Sequence, residues 1–401
     1  MNHIKIMEYL HEFEKEIIKI RRILHEHPEI GFEMKNTKKI VFDELKNMGY
    51  SPLFCGKAGI IANTEKKPGK TFLLRADMDA LPIKEKTNLN FSSQNNNMHA
   101  CGHDMHTAML LGAALLLKKH EKELKGTVRL MFQPAEEILE GANDMIKNGV
   151  LENVDAAMMI HVMAGLDIPT GTTVISSPGI CSPSADYFKI TVKGTGSHSS
   201  MPHNGRDAIN ISAYITTALN EINSRELSLN EKALITIGTI TSGTSINSIS
   251  DYSEMNGIMR CYDESTRLLI KSRITEISEN IAKAFKGSAT VTFGSGWPSF
   301  INDTGLSSAL FNYNKELSGE AKCILSEELS GKSAKASGSE DFAYVSQKIP
   351  SIMLMLSAGS ISEGYKYSQH HPEVVFNEKA LIIGSAVYAY SAMRWLEDNF
   401  V

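Results

Sequence analysis

Apolar residues near the N-terminus recur at steps of three and four, which is the spacing of one face of an α-helix. The positions that follow this pattern are Leu10, Phe13, Ile17, Ile20 and Leu24. Pro28 cannot continue a helix, because its ring fixes the backbone and removes the N–H donor. The pattern therefore predicts one amphipathic helix that ends before Pro28.

Short apolar runs then alternate with segments of helical spacing. We predict strands at 71–74, 127–132 and 154–162, and helices at 37–48, 104–118 and 143–148. Nearly continuous apolar strands separated by helices are typical of a largely parallel sheet covered on both faces. The same pattern returns late in the chain, with a helix at 307–317, a strand at 351–356 and a helix at 378–397.

Between these blocks the chain follows a different pattern. Apolar and polar residues alternate over 186–193, and the segments that follow are a helix at 206–224, strands at 233–240 and 251–261, a helix at 265–285 and a strand at 289–293. This βαββαβ order is that of a ferredoxin-like unit. We therefore predict an α/β fold with a discontinuous main domain, 1–185 and 298–401, and an inserted domain, 186–297.

Composition and charge exclude several classes of function. The 401 residues carry a formal net charge of −5, with basic residues spread among acidic ones, which argues against a nucleic-acid partner. No apolar run is long enough to cross a membrane, and the charged N-terminal segment does not resemble a signal peptide. Five cysteines without paired spacing indicate a reducing compartment, so we expect a cytoplasmic protein.

Polar residues stand at the ends of predicted strands. Asp77 and Asp79 follow one strand, Gln133 follows another, and His161 lies near the end of a third. Open α/β sheets bind their ligands at the carboxyl ends of the strands. The sequence therefore predicts a functional site at this edge of the sheet.

Cys101 and His103 stand two residues apart in a glycine-containing turn before a predicted helix. Sulfur and imidazole ligands suit zinc and its neighbours in the transition series. The helix N-terminus would favour the thiolate of Cys101, and Asp104 could be the N-cap residue. The alternative is that Cys101 is a small buried apolar residue and that the neighbouring histidines cap the helix.

Glu136 and Glu137 follow the strand predicted at 127–132. We expect two adjacent carboxylates to point in different directions, so that one binds a metal and the other acts as a general base. The alternative is that this acidic pair begins a helix, where negative side chains are favourable. Taken alone, the pair favours the second interpretation.

Several histidines are further candidates. His161 is either a metal ligand or a hydrogen-bonded core residue, and His370 and His371 form an adjacent pair in a loop. His25 and His27 lie at a helix C-terminus, where the dipole favours cations, so we assign them no functional role. Cysteine, histidine and glutamate at successive strand ends together make a mixed set of metal ligands.

Five segments in combination carry a family resemblance. The sequence resembles the aminoacylase-like metallo-amidohydrolases, a family that also includes dinuclear zinc carboxypeptidases. It is most similar to the branch of hippurate hydrolases, N-acetyldiaminopimelate deacetylases and plant auxin-conjugate hydrolases. The matching segments are 74–82 (LRADMDALP), 98–107 (MHACGHDMHT), 132–137 (FQPAEE), 338–342 (GSEDF) and 370–372 (HHP).

The resemblance implies a zinc-peptidase-like catalytic domain with two divalent metal ions, which could be Zn, Mn, Co or Ni. It implies that Cys101 bridges them and that four further ligands complete the sites: His103, Glu137, His161 and His370. His370 is preferred to His371 because the family ligand is followed by one residue and then commonly by proline. Glu136 would be the general base. From the residues themselves, Asp77 and Asp79 either orient a ligand histidine or cap a turn, and we take Asp79 as the supporting residue.

The resemblance also implies roles for the inserted domain as a lid that often mediates dimerisation, so a homodimer or homotetramer is expected. His198 lies in a segment that matches a family pattern and would help bind the scissile carbonyl, in some relatives from the partner subunit. Asn247 and Arg260 match lid positions that contact substrate, Arg260 its carboxylate.

The expected reaction is hydrolysis of a small N-acyl amino acid to a carboxylic acid and an amino acid. A dipeptidase or carboxypeptidase with the same site is the nearest alternative. A non-catalytic binding homologue is a second alternative. A closed, four-coordinate structural metal site is a third, and it fits poorly with five candidate ligands and an additional carboxylate.

Overall fold

The computed structural model describes residues 3–176, 178–317, 322–330 and 340–400. Its α-helices are α1 (His3–Glu12), α2 (Glu14–Glu26), α3 (Lys35–Asn47), α4 (His103–Lys119), α5 (Gly141–Lys147), α6 (Ala208–Glu221), α7 (Glu264–Ala284), α8 (Thr304–Glu316), α9 (Ser326–Ser330), α10 (Ala343–Ser346) and α11 (Ala380–Asp398). Its strands are β1 (Leu53–Cys55), β2 (Gly59–Asn63), β3 (Thr71–Asp77), β4 (Thr127–Gln133), β5 (Ala156–Met163), β6 (Thr173–Ile175), β7 (Gly179–Ser182), β8 (Ser184–Lys193), β9 (Ser197–His198), β10 (Ala233–Ser242), β11 (Ser248–Ile249), β12 (Tyr252–Cys261), β13 (Ser288–Trp297), β14 (Phe300–Asn302), β15 (Cys323–Leu325) and β16 (Ser351–Ser357).

The chain forms two compact units. Unit 1 contains the chain up to Cys181 and the described residues of 301–335 and 341–401, and unit 2 is formed mainly by Ser182–Phe300. Each unit has its own apolar core. Among the described residues, no helix is both long and apolar enough to cross a bilayer.

Unit 1 is built on an eight-stranded mixed sheet with the order β1-β2-β4-β3-β5-β16-β6-β15. The central strands β4, β3, β5 and β16 run parallel to one another. Strands β1 and β2 pair antiparallel with their neighbours, and β6 pairs antiparallel with β16 and parallel with β15. Helix α4 is buried along nearly its whole length and packs against α2, α11 and β3. A helix that is apolar all round belongs inside a core, which is where α4 lies.

Unit 2 has the predicted ferredoxin-like topology. Its four-stranded sheet has the order β10-β12-β8-β13, and every neighbouring pair is antiparallel. Helices α6 and α7 pack on this sheet and bury apolar residues such as Ile215 and Ile274. The fold class predicted from the sequence pattern, α/β with a ferredoxin-like insertion, is therefore confirmed.

The sequence pattern was less accurate for short elements and for the first helix. That helix is interrupted at Phe13, whose φ of −107° and ψ of 8° leave the helical region while its ring packs on Tyr9. Strands β1, β2, β6 and β15 were not predicted. Strands of three to five residues carry too few positions for a period of two to be recognised.

Candidate metal centre

Three parallel strands bring the predicted polar residues to one edge of the sheet of unit 1. Strand β3 ends at Asp77, and the register pairs Asp77 with Gln133 at the end of β4. Strand β5, which pairs with β3 on its other side, carries His161 near its end. Parallel strands end at a common edge, so the loops that follow them meet there.

The loop before α4 supplies Cys101, and the first residue of α4 is His103. Gly102 between them has a φ of 91°, and a Cβ atom on it would lie 2.4 Å from Val162 Cγ2, so only glycine fits. This turn directs Cys101 towards β5, where its Sγ lies 3.5 Å from His161 Nε2. The prediction that Asp104 caps the helix is wrong, because Gly102 holds the N-cap position.

The loop after β4 supplies Glu136 and Glu137. The two carboxylate oxygens of Asp79 accept hydrogen bonds from the backbone N–H groups of Glu136 (3.0 Å) and Glu137 (3.1 Å). Ala135 and Leu139, on either side of the pair, have positive φ values of 56° and 61°. Non-glycine residues rarely adopt this conformation, which costs about 1–3 kcal/mol each and is found most often at functional sites.

Both carboxylates reach the same imidazole. His103 Nε2 lies 4.0 Å from Glu136 Oε2 and 3.8 Å from Glu137 Oε1. The expectation that adjacent carboxylates point in different directions is therefore wrong. The backbone of the loop, held by Asp79 and by two left-handed residues, folds tightly enough to turn both side chains to one side.

The two adjacent histidines of the last loop, His370 and His371, make different contacts. His370 has a φ of 66°, and its Nε2 lies 3.6 Å from Glu137 Oε1. His371 stacks instead on Tyr367, with ring centroids 4.0 Å apart and planes 2° from parallel. The structure thus brings His370, and not His371, to the cluster formed by Cys101 and Glu137.

The donor atoms of this cluster fit a metal centre. Groups of Cys101–His103–His161, Cys101–Glu137–His370 and His103–Glu136–Glu137 each place their donor atoms within 4.8 Å of one another. Both ring nitrogens of His103 and the Oε1 atom of Glu137 are buried without a hydrogen-bond partner. Unpartnered buried polar atoms are costly unless something else binds them. Thiolate, imidazole and carboxylate are together the donor set that zinc and related ions prefer.

Burial shifts the pKa values of these groups. It raises the pKa of the Cys101 thiol and of Glu137, the latter to about 7, and it lowers the pKa of His161 to about 3. Burial also disfavours the charged form of His103, but Asp77, Cys101 and Asp79 together outweigh it and raise the pKa of His103. The expectation that the helix N-terminus favours the thiolate is thus overruled by desolvation, and a cation would have to replace the proton.

Sequence reasoning gave no role to Arg75 and Asp341, which connect the polar residues of this edge. The Arg75 guanidinium donates to Gln133, Asp77 and Asp341, and Gln133 also donates to Asp341, all of them buried. Asp341 belongs to the segment 338–342, of which Gly338 and Ser339 lie outside the described residues. His106 was part of a matching segment but was given no role. The signal that could have identified these residues is that they are polar residues within or beside strongly apolar segments.

His25 is a second omission. It is buried, and its ring nitrogens lie 2.8 Å from Asp104 and 3.3 Å from Glu85. The helix dipole alone was a poor explanation, because two carboxylates face this imidazole. A histidine and carboxylates from segments far apart in the sequence could not be paired without the fold.

The three candidate residues of unit 2 fall into two places. His198 in β9 pairs with Ser248 of β11, next to Asn247, at the end of the sheet where β12 begins. Arg260 lies near the other end of β12, opposite Ala185. The structure brings His198 and Asn247 together. Arg260 lies about 26 Å along β12 from Tyr252, the first residue of that strand, at about 3.3 Å per residue.

Comparison with known proteins identifies the family. The model of "Peptidase family M20/M25/M40" matches residues 73–394. The chain is 36% identical to an N-acetyl-L-cysteine deacetylase of Bacillus subtilis over 97% of this chain and 90% of the relative. It is 36% identical to thermostable carboxypeptidase 1 of Saccharolobus solfataricus over 98% of each chain.

Solved structures agree with this assignment. A crystal structure of a dinuclear metal-binding peptidase of the M20 family from Bacillus subtilis superposes with a TM-score of 0.80. The two chains are 32% identical, with 96% of this chain and 99% of that chain covered. The chain therefore belongs to peptidase family M20/M25/M40, and it is a metal-dependent hydrolase of amide bonds.

Proposed function

We propose that this enzyme hydrolyses the amide bond of N-acyl amino acids and releases a carboxylic acid and an amino acid. The observation that carries the proposal is the buried donor cluster with Glu136 beside it, in a chain 36% identical to a deacetylase of an N-acetyl amino acid. The reaction needs only water as a second substrate, and a carboxylate such as Glu136 can exchange a proton with it.

The residues that we propose would hold two divalent ions are Cys101, His103, Glu137, His161 and His370. Such ions lower the pKa of water from about 15.7 towards 7 and polarise a carbonyl oxygen. The ions could be Zn, Mn, Co or Ni. Asp79 supports the arrangement, since it fixes the backbone of Glu136 and Glu137 and lies 3.5 Å from His103 Nδ1.

Glu136 acts as the general base in this proposal. Its Oε2 takes a proton from the attacking water, and the new carbon–oxygen bond forms at the amide carbon. When the carbon–nitrogen bond breaks, the same carboxyl group returns the proton to the leaving amine. General acid–base catalysis of this kind contributes about 10²–10⁴-fold to rate.

For unit 2 we propose a substrate-binding and dimer-forming role. His198 and Asn247 would contact the scissile amide, and Arg260 the carboxylate of the amino acid. Their separation along the sheet of unit 2 favours a homodimer or homotetramer in which two subunits contribute to each site. Light scattering coupled to size-exclusion chromatography tests the assembly, and a monomer that retains full activity would contradict it.

The main experiment is a substrate screen of the metal-stripped enzyme reloaded separately with Zn, Mn, Co or Ni. N-acetyl, N-benzoyl and longer-chain acyl amino acids are compared with free dipeptides by kcat/KM. We expect an N-acyl amino acid to give the largest value. Cleavage of dipeptides alone, with every metal, would overturn the proposal.

A matched pair of variants tests the mechanism. Glu136→Gln replaces the base by a neutral side chain of the same shape, so metal content should stay unchanged while turnover falls about 10²–10⁴-fold. Glu140→Gln alters an exposed carboxylate in the same segment and should behave as wild type. Wild-type turnover by Glu136→Gln would refute the assignment of the base.

A carboxypeptidase or dipeptidase is the second candidate, favoured by the 36% identity to thermostable carboxypeptidase 1. The same screen distinguishes the two activities. We also propose a cytoplasmic location, supported by an odd number of cysteines, five, without paired spacing in the sequence.

A further inference from the structure

In the main sheet, the backbone pairing between β3 and β5 ends before β5 reaches His161. Strands β3 and β5 pair from Phe72 opposite Ala156 to Arg75 opposite Met159, and no further. Alternate residues of a strand face the same neighbour, so the N–H groups of Ile160 and Val162 point to the side of β5 on which β3 pairs with the earlier residues. Two side chains take the place of the missing strand: Tyr388 Oη accepts from Ile160, and His106 Nε2 accepts from Val162 at 2.8 Å.

The second ring nitrogen of His106 holds a carboxylate. Because Nε2 accepts a hydrogen bond, the proton is on Nδ1, which donates to Asp77 Oδ1 at 2.5 Å. The other oxygen of Asp77 accepts from Arg75 and lies 3.5 Å from His103 Nε2. The imidazole of His106 therefore connects the end of β3 to the end of β5.

Val162 is the point where this connection meets the donor cluster. Its N–H is bound by His106, and its carbonyl accepts from His161 Nδ1 at 2.7 Å and from Gln369 at 2.6 Å. The bond from Nδ1 leaves Nε2 of His161 as the nitrogen that faces Cys101. Gln369 directly precedes His370, so the same peptide also orients the last loop.

The rings of the three histidines are packed on one another. His106 lies against His103, with centroids 5.3 Å apart and planes at 30°, and against His161, with centroids 4.7 Å apart and planes at 69°. Its side chain is fully buried on helix α4. Any displacement of this ring would shift both neighbouring imidazoles.

We propose that His106 is a positioning residue of the metal centre: it clamps Asp77 beneath His103 and fixes the Val162 peptide that orients His161 and the loop of His370. This inference rests on the proposed metal centre but not on the identity of the substrate. Removing a group that hydrogen-bonds to a metal ligand and orients it lowers metal affinity by roughly 10–100-fold.

Two substitutions separate the two contacts of His106. In His106→Asn the amide nitrogen can replace Nδ1 towards Asp77, but nothing reaches Val162. In His106→Gln the amide oxygen can replace Nε2 towards Val162, but the bond to Asp77 is lost. We expect both variants to bind Co²⁺ roughly 10–100-fold more weakly than wild type, with an altered cobalt spectrum and thiolate charge-transfer band.

A second readout uses the metal-free protein. Hydrogen exchange of the peptide that contains Val162, measured by mass spectrometry, should accelerate in His106→Asn and remain close to wild type in His106→Gln. His120→Asn is the matched control: His120 is the C-cap residue of the same helix, pairs with Glu123 away from the donor cluster, and its substitution should change neither property. Leu117→Ala removes a buried side chain from the same helix and controls for loss of stability.

Each outcome separates the inference from the proposed function. If wild type binds no Co²⁺, the metal centre itself is refuted, and the inference falls with it. If wild type binds Co²⁺ and both His106 variants match its affinity and spectrum, the positioning role is wrong and the centre stands. If Leu117→Ala weakens Co²⁺ binding as much as the His106 variants, the effect is general destabilisation, which also overturns the inference.

Discussion

Removing the charge of Asp104 should destabilise unit 1 beneath the candidate metal centre. Its Oδ2 atom lies 2.7 Å from Arg21 Nε and 2.8 Å from His25 Nδ1. The side chains of Arg21, His25 and Asp104 are at most 2% exposed. The variant Asp104→Asn keeps the shape of this side chain but leaves two buried cationic groups without their shared counter-charge.

The size of the effect follows from burial. Breaking a buried ion pair by removing one partner costs about 3–5 kcal/mol, because the remaining charge is left uncompensated. Arg21 also contacts Glu378 at 3.3 Å, and His25 contacts Glu85 at 3.3 Å, so neither cation is entirely alone. We therefore expect a loss near the lower limit, about 3 kcal/mol in the free energy of unfolding of unit 1.

The assay can follow unit 1 by itself. The chain has two tryptophans, Trp297 in unit 2 and Trp395 in unit 1, so a Trp297→Phe background leaves the fluorescence of buried Trp395 as the reporter. Urea unfolding of the metal-free protein then gives the free energy by linear extrapolation. The control is Asp43→Asn, which breaks the exposed pair of Asp43 with Lys39 and should change nothing measurable.

A loss below about 1 kcal/mol, within the usual range for exposed ion pairs, would refute the reasoning. It would mean that water or a rearranged side chain compensates Arg21 and His25. A loss of the expected size that also appears in Asp43→Asn would refute it as well, because burial would then not be the cause.

Three further predictions concern pH, backbone and metal content. Burial raises the pKa of Glu85, but His25, the Thr87 hydroxyl and the Ser93 backbone N–H together lower it to about 2. The stabilisation by Glu85 is therefore present above its unfolded pKa of about 4.3 and is lost towards pH 2. Glu85→Gln should flatten acid unfolding of the metal-free protein between these values, and an unchanged slope would contradict this. Gly102→Ala should lower metal content after dialysis, since its Cβ would lie 2.4 Å from a side chain of β5, whereas Gly364→Ala, at a φ of 95° in open space, should not. Cys101→Ala should reduce the metal-to-protein ratio in elemental analysis and Cys261→Ala should leave it unchanged; equal ratios would rule out Cys101 as a ligand.

The sequence was sufficient to predict the part of the candidate site that lies at the ends of strands. Asp77, Gln133 and His161 follow or end apolar strands, and parallel strands bring their carboxyl ends to one edge, so their proximity could be inferred. The pairing of His370 rather than His371 with Glu137 was chosen by resemblance. The structure gives the reason, since a left-handed backbone at His370 turns one ring towards Glu137 and leaves the other on Tyr367.

Other parts of the site depend on distances that no local pattern contains. His25 and Glu85 are 60 residues apart, and Arg75 and Asp341 are 266 residues apart, yet each pair is in contact. Whether a histidine in an apolar helix is solvated, capped or bound to a carboxylate depends on which segment packs over it. For the same reason His106 and His25 received no role from their sequence context.

The order of apolar and polar residues is sufficient to establish the α/β class, the ferredoxin-like insertion and the edge of the sheet where polar loops gather, because periodicity and chain order are local properties. The protonation of Cys101, the shared direction of Glu136 and Glu137 and the clamp formed by His106 arise only when the chain is folded. They depend on burial and on contacts between distant segments, and these exist only once the core has excluded water.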